Sequence, residues 1–119
     1  MARRRPPRSV LPRAFAHLDL QRQQRLGAPE IVYGAGKTVS QIAAIIRRLH
    51  SARQPVLTTR VDSMKARQLR RLFPKGKYHP SAQTFTLPLD KTKPPTHPSL
   101  QVAICAAGTS DHPVAEEAF

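Results

Sequence analysis

Apolar residues follow helical spacing most clearly between Thr38 and Gln54. Val39, Ile42, Ala43, Ile46 and Leu49 fall on one face, and Arg47, Arg48 and Gln54 fall opposite. Thr38 is placed to cap this helix, with Gln41 three residues on as its capping-box partner. Pro55 then precedes a β-branched run, Val56-Leu57-Thr58-Thr59-Arg60-Val61, which predicts a strand. Asp62 can cap a second helix running to about Phe73, with Leu69, Leu72 and Phe73 turned inward and Pro74 and Gly76 ending it.

The flanks are weaker. Residues 14–26 read as a helix whose apolar contacts are Phe15, Leu18 and Leu26, stopped by Gly27 and Pro29. Ile31-Val32-Tyr33 is a short strand ended by Gly34 and Gly36. Tyr78 to Leu87 reads as one extended segment, with Phe85 and Leu87 alternating against Thr84 and Thr86. Near the end, Val102-Ala103-Ile104-Cys105 predicts another strand, followed by the small-residue turn Ala106–Asp111 and a helix start at Pro113.

This order divides the chain into four stretches. Residues 1–13 form a basic tail rich in arginine and proline, too polar to order itself. Residues 14–87 form a small N-terminal α/β domain: a helix, then β-α-β-α-β. Residues 88–99 are a stiff linker containing Pro88, Pro94, Pro95 and Pro98. Residues 100–119 open a second domain with a new strand and a turn. A lone strand and one helical turn have no sheet to join, so this last stretch is expected to pack poorly.

Charge narrows the partners. Lys and Arg total 20 against 7 Asp and Glu, a net charge of +13, which favours contact with phosphates, nucleic acid or acidic surfaces. No apolar run has a membrane-spanning length of about 20 residues. The single cysteine excludes a disulfide framework, and a reducing, cytoplasmic setting is expected.

Gly34-Ala35-Gly36-Lys37-Thr38 matches only the end of a P-loop, because the position requiring the first glycine is Ile31. The glycines are expected simply to turn the chain, with Lys37 near any anion at the helix start. Gly108-Thr109-Ser110-Asp111 carries more. Gly108 permits close backbone approach, Thr109 and Ser110 offer hydroxyls, and Asp111 suits a ribose hydroxyl or a helix cap better than a phosphate. Arg67, Arg70 and Arg71 share one helix face and, with Arg60, Lys75 and Lys77, make a basic patch. No aromatic residue interleaves with those charges for base stacking, so a solvated face is the plainer reading. His17, His50, His79, His97 and His112 lack metal-ligand spacing, and no metal is expected. Cys105 is expected to be a buried, inert thiol.

Two blocks together carry a resemblance. The first comprises Leu18-Asp19, Arg22, Arg25, Gly27, Pro29-Glu30-Ile31-Val32-Tyr33-Gly34, Gly36-Lys37-Thr38 and Gln41. The second is Ala107-Gly108-Thr109-Ser110-Asp111 with Pro113-Val114-Ala115-Glu116-Glu117-Ala118. Thr59-Arg60 and Tyr78-His79-Pro80 lie between them. From about residue 14 to 119 the chain resembles the N-terminal part of the LarB family of nickel-pincer cofactor biosynthesis proteins. The second domain of that family is similar to phosphoribosylaminoimidazole carboxylase (PurE-like), which implies that residues 100–119 are the first strand and turn of a flavodoxin-like parallel-sheet domain.

The resemblance implies an enzyme that takes nicotinic acid adenine dinucleotide, carboxylates its pyridinium ring with carbon dioxide or bicarbonate, and hydrolyses the phosphoanhydride to release AMP. It implies no firm cofactor beyond that co-substrate, with a divalent cation allowed in a full-length, homo-oligomeric enzyme. Gly108, Thr109, Ser110 and Asp111 are then substrate-binding, with Lys37, Arg22 and Arg25 as further anion contacts or as partners of Asp19 and Glu30. No catalytic residue is assigned. The family's ring-attacking cysteine belongs further along the carboxylase-like domain, and Cys105 sits on the wrong element to replace it. The chain is therefore expected to be truncated and inactive on its own. A purine-pathway carboxylase reading is weakened by Ala107-Gly108, where that branch carries Gly-Ser. A non-enzymatic basic module that binds nucleic acid is the remaining alternative.

Overall fold

The computed structural model describes residues 16–89 and 102–119. The basic tail 1–13, Phe15 and all but the first two residues of the linker 88–99 lie outside the described residues. In chain order the elements are α1 (Arg22–Leu26), β1 (Ile31–Tyr33), α2 (Val39–Ser51), β2 (Val56–Thr59), α3 (Ser63–Leu72), β3 (Lys77–His79), β4 (Thr84–Leu87) and α4 (His112–Ala118).

The four strands make one mixed sheet in the order β1-β2-β4-β3. β1 runs parallel to β2, with α2 as the crossover that parallel strands require. β4 pairs antiparallel with both β2 and β3. The fold is thus α/β, as the pattern predicts, with one extra strand. The segment Tyr78–Leu87 is not one extended piece but a hairpin. Pro80 to Gln83 turn the chain: the Gln83 amide donates to the Pro80 carbonyl at 3.2 Å, and Gln83 takes a φ of 50°. Proline and serine at 80–81 are the turn chemistry that the alternation concealed. The hairpin also breaks the expected alternation, since Thr84 and Phe85 are both buried.

Register explains the core. Val32 lies opposite Thr58, and Thr58 opposite Phe85, so all three share one face of the sheet. That face meets Ile42, Ile45, Ile46 and Leu49 of α2 and Leu69 of α3, with Val56, Val61 and Leu87 completing the cluster. Ile45 widens the α2 stripe beyond the predicted positions and is fully buried. At the β1 edge, Ile31 and Tyr33 point away from Val32 and are more than half exposed, at 54% and 59%.

The helix ends follow the sequence signals. Thr38 and Gln41 form the full capping box, with the Gln41 amide donating to Thr38 Oγ1 at 3.2 Å and the Thr38 amide to Gln41 Oε1 at 2.9 Å. Asp62 caps α3 by accepting from the Lys65 amide at 2.8 Å. Thr38→Ala is expected to cost about 1 kcal/mol, read as a lower urea midpoint with unchanged slope.

Two expectations need correction. The helix predicted for 14–26 is helical only from Arg22. Asp19 captures the Gln21 amide on its carboxylate (3.2 Å) and the Arg22 amide on its carbonyl (3.0 Å), a local turn that competes with an earlier helix start. Leu18 is buried, but Leu26 is exposed. Likewise Leu72 faces outward while Leu69 is buried; Phe73 packs partly against the core with the Arg47 guanidinium 5.6 Å from its ring centre. No described helix is long and apolar enough to cross a membrane.

Candidate functional site

The carboxyl ends of the parallel strands β1 and β2 lie beside the N-termini of α2 and α3. In α/β sheets this is the edge where ligands commonly bind. Gly34 makes the approach of the two strand ends possible. Its amide donates to the Thr59 carbonyl at 2.8 Å, and a Cβ there would lie 2.7 Å from that oxygen. Arg60 follows in the left-handed region, with φ 55°. Val61 then donates its amide to the Gln83 carbonyl at 2.8 Å, which ties the bend to the hairpin turn.

Lysines close this edge. Lys37 Nζ donates to the Tyr33 carbonyl at 2.8 Å, and Lys65 Nζ donates to the Gly34 carbonyl at 3.2 Å. Lys37 therefore serves first as a fastener of the β1–α2 loop. Lys65 has the same role, and no sequence signal set it apart from the other surface lysines. The loop does not form a P-loop. Gly36 takes φ 72° with open space around it, and the Thr38 side chain is used for capping.

The arginines proposed as anion contacts stand elsewhere on the surface. Arg25 pairs with the Asp19 carboxylate. Arg22 is exposed on α1. Glu30 Oε2 is buried without a hydrogen-bond partner, so the ion pair considered for Glu30 does not form among the described residues.

The turn at 108–111 is open. Gly108 holds φ 96° with nothing within 4 Å of where a Cβ would stand, so conformation and not crowding demands glycine. Thr109, Ser110 and Asp111 are exposed. Asp111 stands at the N-cap of α4, yet its carboxylate makes no capping hydrogen bond; only its carbonyl enters the helix, accepting from Val114 at 3.1 Å and Ala115 at 2.9 Å. Ile104, Cys105, Ala106 and Ala107 line a groove with Val114 and Ala118 of α4. Among the described residues the strand expected at 102–105 is paired with no other strand, and Cys105 is exposed rather than buried. With no neighbouring strand among the described residues, that thiol is left open. Glu117 reaches Arg60, with Oε2 and Nη2 3.3 Å apart.

Of the expected basic patch, Arg67, Arg70 and Arg71 line a groove on α3 together with Tyr78, whereas Arg60 is drawn to Glu117 and neither Lys75 nor Lys77 lines that groove. The Tyr78 hydroxyl donates to the Val61 carbonyl at 3.0 Å. Burial pushes this phenol above its ordinary value, and the nearby Asp62 carboxylate adds to the rise. Among the described residues no cluster of histidine, cysteine and carboxylate side chains is arranged to hold a metal.

An uncharacterized protein of Methanocaldococcus jannaschii is 35% identical over 107 residues, which cover 85% of this chain and 41% of that protein. The chain thus spans less than half the length of that relative. Residues 11–89, which take in the whole four-stranded sheet with α2 and α3, match the LarB/PurE-like N-terminal domain. The chain belongs to the LarB/PurE-like N-terminal domain family.

Proposed function

We propose that this chain is part of an enzyme that carboxylates the pyridinium ring of nicotinic acid adenine dinucleotide and hydrolyses its phosphoanhydride. Its contribution is the Gly108–Asp111 turn, which holds the phosphates and a ribose of that dinucleotide. The observation that carries this reading is the uncommitted turn. A left-handed glycine is followed by two exposed hydroxyls and by an N-cap carboxylate that caps nothing. A carboxylate in this position is free to accept from a ribose hydroxyl, while the amides and hydroxyls beside it suit phosphate oxygens. α4 has only seven residues, so its dipole is small and the turn's own donors must do the binding. Carbon dioxide or bicarbonate would be the second substrate. The ring chemistry would fall to other residues, because the groove that Cys105 shares with α4 is lined by Asp111 and apolar side chains, with no cationic group among them to favour a thiolate. Family membership supports the reading. A homo-oligomeric, cytoplasmic enzyme is part of the same proposal.

The test is a titration of the dinucleotide against the isotope-labelled chain. The amides of Gly108 to Asp111 are expected to shift together. Ser110→Ala and Asp111→Asn should each weaken binding about tenfold, the loss expected for one charge-assisted hydrogen bond. Shifts confined to other residues would overturn the assignment. So would tight RNA binding at physiological salt that the dinucleotide does not displace, since basic modules of that kind bind steeply with falling salt.

A further inference from the structure

We propose that Arg60 is a positioning residue: through Glu117 it holds α4, and with it the Gly108–Asp111 turn, against the carboxyl end of the β1–β2 pair. Three observations lead there. First, the bend that carries Arg60 is fixed from both sides. The Thr59 carbonyl accepts from Gly34, and the Val61 amide donates to Gln83, so the left-handed φ of 55° is enforced by neighbouring backbone. Arginine has no intrinsic preference for that conformation. A strained residue held by its surroundings commonly marks a functional position. Second, the guanidinium meets a carboxylate of a distant element, Glu117 on α4, at 3.3 Å. Glu117 is the less exposed partner, at 22% of its side chain. The other acid of that helix, Glu116, lies 3.8 Å from His112 of its own element. Third, α4 has no buried residue and cannot be held by apolar burial.

In this arrangement the small domain orients the turn rather than the ligand. Arg60 suits this role because a guanidinium presents a rigid planar fork of donors to a carboxylate. The two lysines of the same edge are already tied to the Tyr33 and Gly34 carbonyls. That the clamp matters for dinucleotide holding rests on the reading given above. The clamp itself is tested without ligand, so the two can fail separately.

Cys105 is the chain's sole cysteine, it is exposed, and it shares a groove with Val114, Ala115 and Ala118 of α4. A nitroxide attached there reports where α4 lies. In the full chain the amides of Thr59 to Ser63 are expected to broaden. Glu117→Arg, a change on an exposed helix with no buried contact, should reduce that broadening about two- to fivefold, the range expected of one solvent-accessible ion pair. The exchanged pair R60E/E117R should restore it. No broadening in the unaltered chain, or broadening indifferent to E117R, would overturn the proposal. Should R60E disturb the bend, E117R alone still decides, and Glu117→Gln should give a smaller change of the same sign.

Discussion

Phe85→Ala is expected to destabilise the domain by about 3–5 kcal/mol. A small domain has on the order of 5–15 kcal/mol in total, so much of the chain would unfold under mild stress. Phe85 is fully buried and stands in register with both Thr58 and Tyr78, at the middle of the sheet. Its ring also fills the space beside Gly76, where a Cβ would lie 2.2 Å from Cζ. Removing the ring leaves a void bordered by the sheet on one side and by the chain leaving α3 on the other. Neither can collapse without breaking strand pairing. Chemical denaturation should show the loss as a lower midpoint with an unchanged slope. A loss below about 1 kcal/mol would mean that the site relaxes freely, contrary to the packing described.

Gly34→Ala should cost about 2–3 kcal/mol, near the top of the range for forced overpacking. Its new methyl group would meet the Thr59 and Arg60 carbonyls at 2.7 and 3.3 Å and Val61 at 3.3 Å. Two of those three are backbone atoms, which cannot swing aside as a side-chain tip does. Relief requires β1 to part from the Thr59–Arg60 bend. Gly36→Ala is the control. It lies two residues on, at φ 72° with open space around it, so its cost is only conformational, about 1 kcal/mol. Equal losses at the two positions would refute the close-approach argument. Gly34→Ala should also loosen the bend that aims Arg60, whereas Gly36→Ala should not.

Much of this was legible along the chain because the signals were local. The Thr38–Gln41 box, the Asp62 cap and the Gly27 stop each depend on residues within a few positions, and each forms as the spacing dictates. The β3–β4 hairpin was less legible. Its alternating residues fit one long strand as well as two, and the choice depended on β2 being available to pair with β4. α1 shrank because one aspartate satisfied the amides that a longer helix would have used. At the site, the glycine turn and its hydroxyls could be read from residue types alone. The Arg60–Glu117 pair could not, since 57 positions of chain separate partners that only the fold brings together. Lys65 was invisible for the same reason, as its acceptor is a carbonyl 31 residues away.

The strand order β1-β2-β4-β3 has a consequence for how the protein is made. The final strand of the sheet to leave the ribosome is an interior one. Until residue 87 clears the exit tunnel, β2 has a partner on one side only and the centre of the hydrophobic layer lacks Phe85. The nascent domain must therefore wait, with the isoleucines of α2 only partly covered by β1, β2 and α3, and then close in a late step.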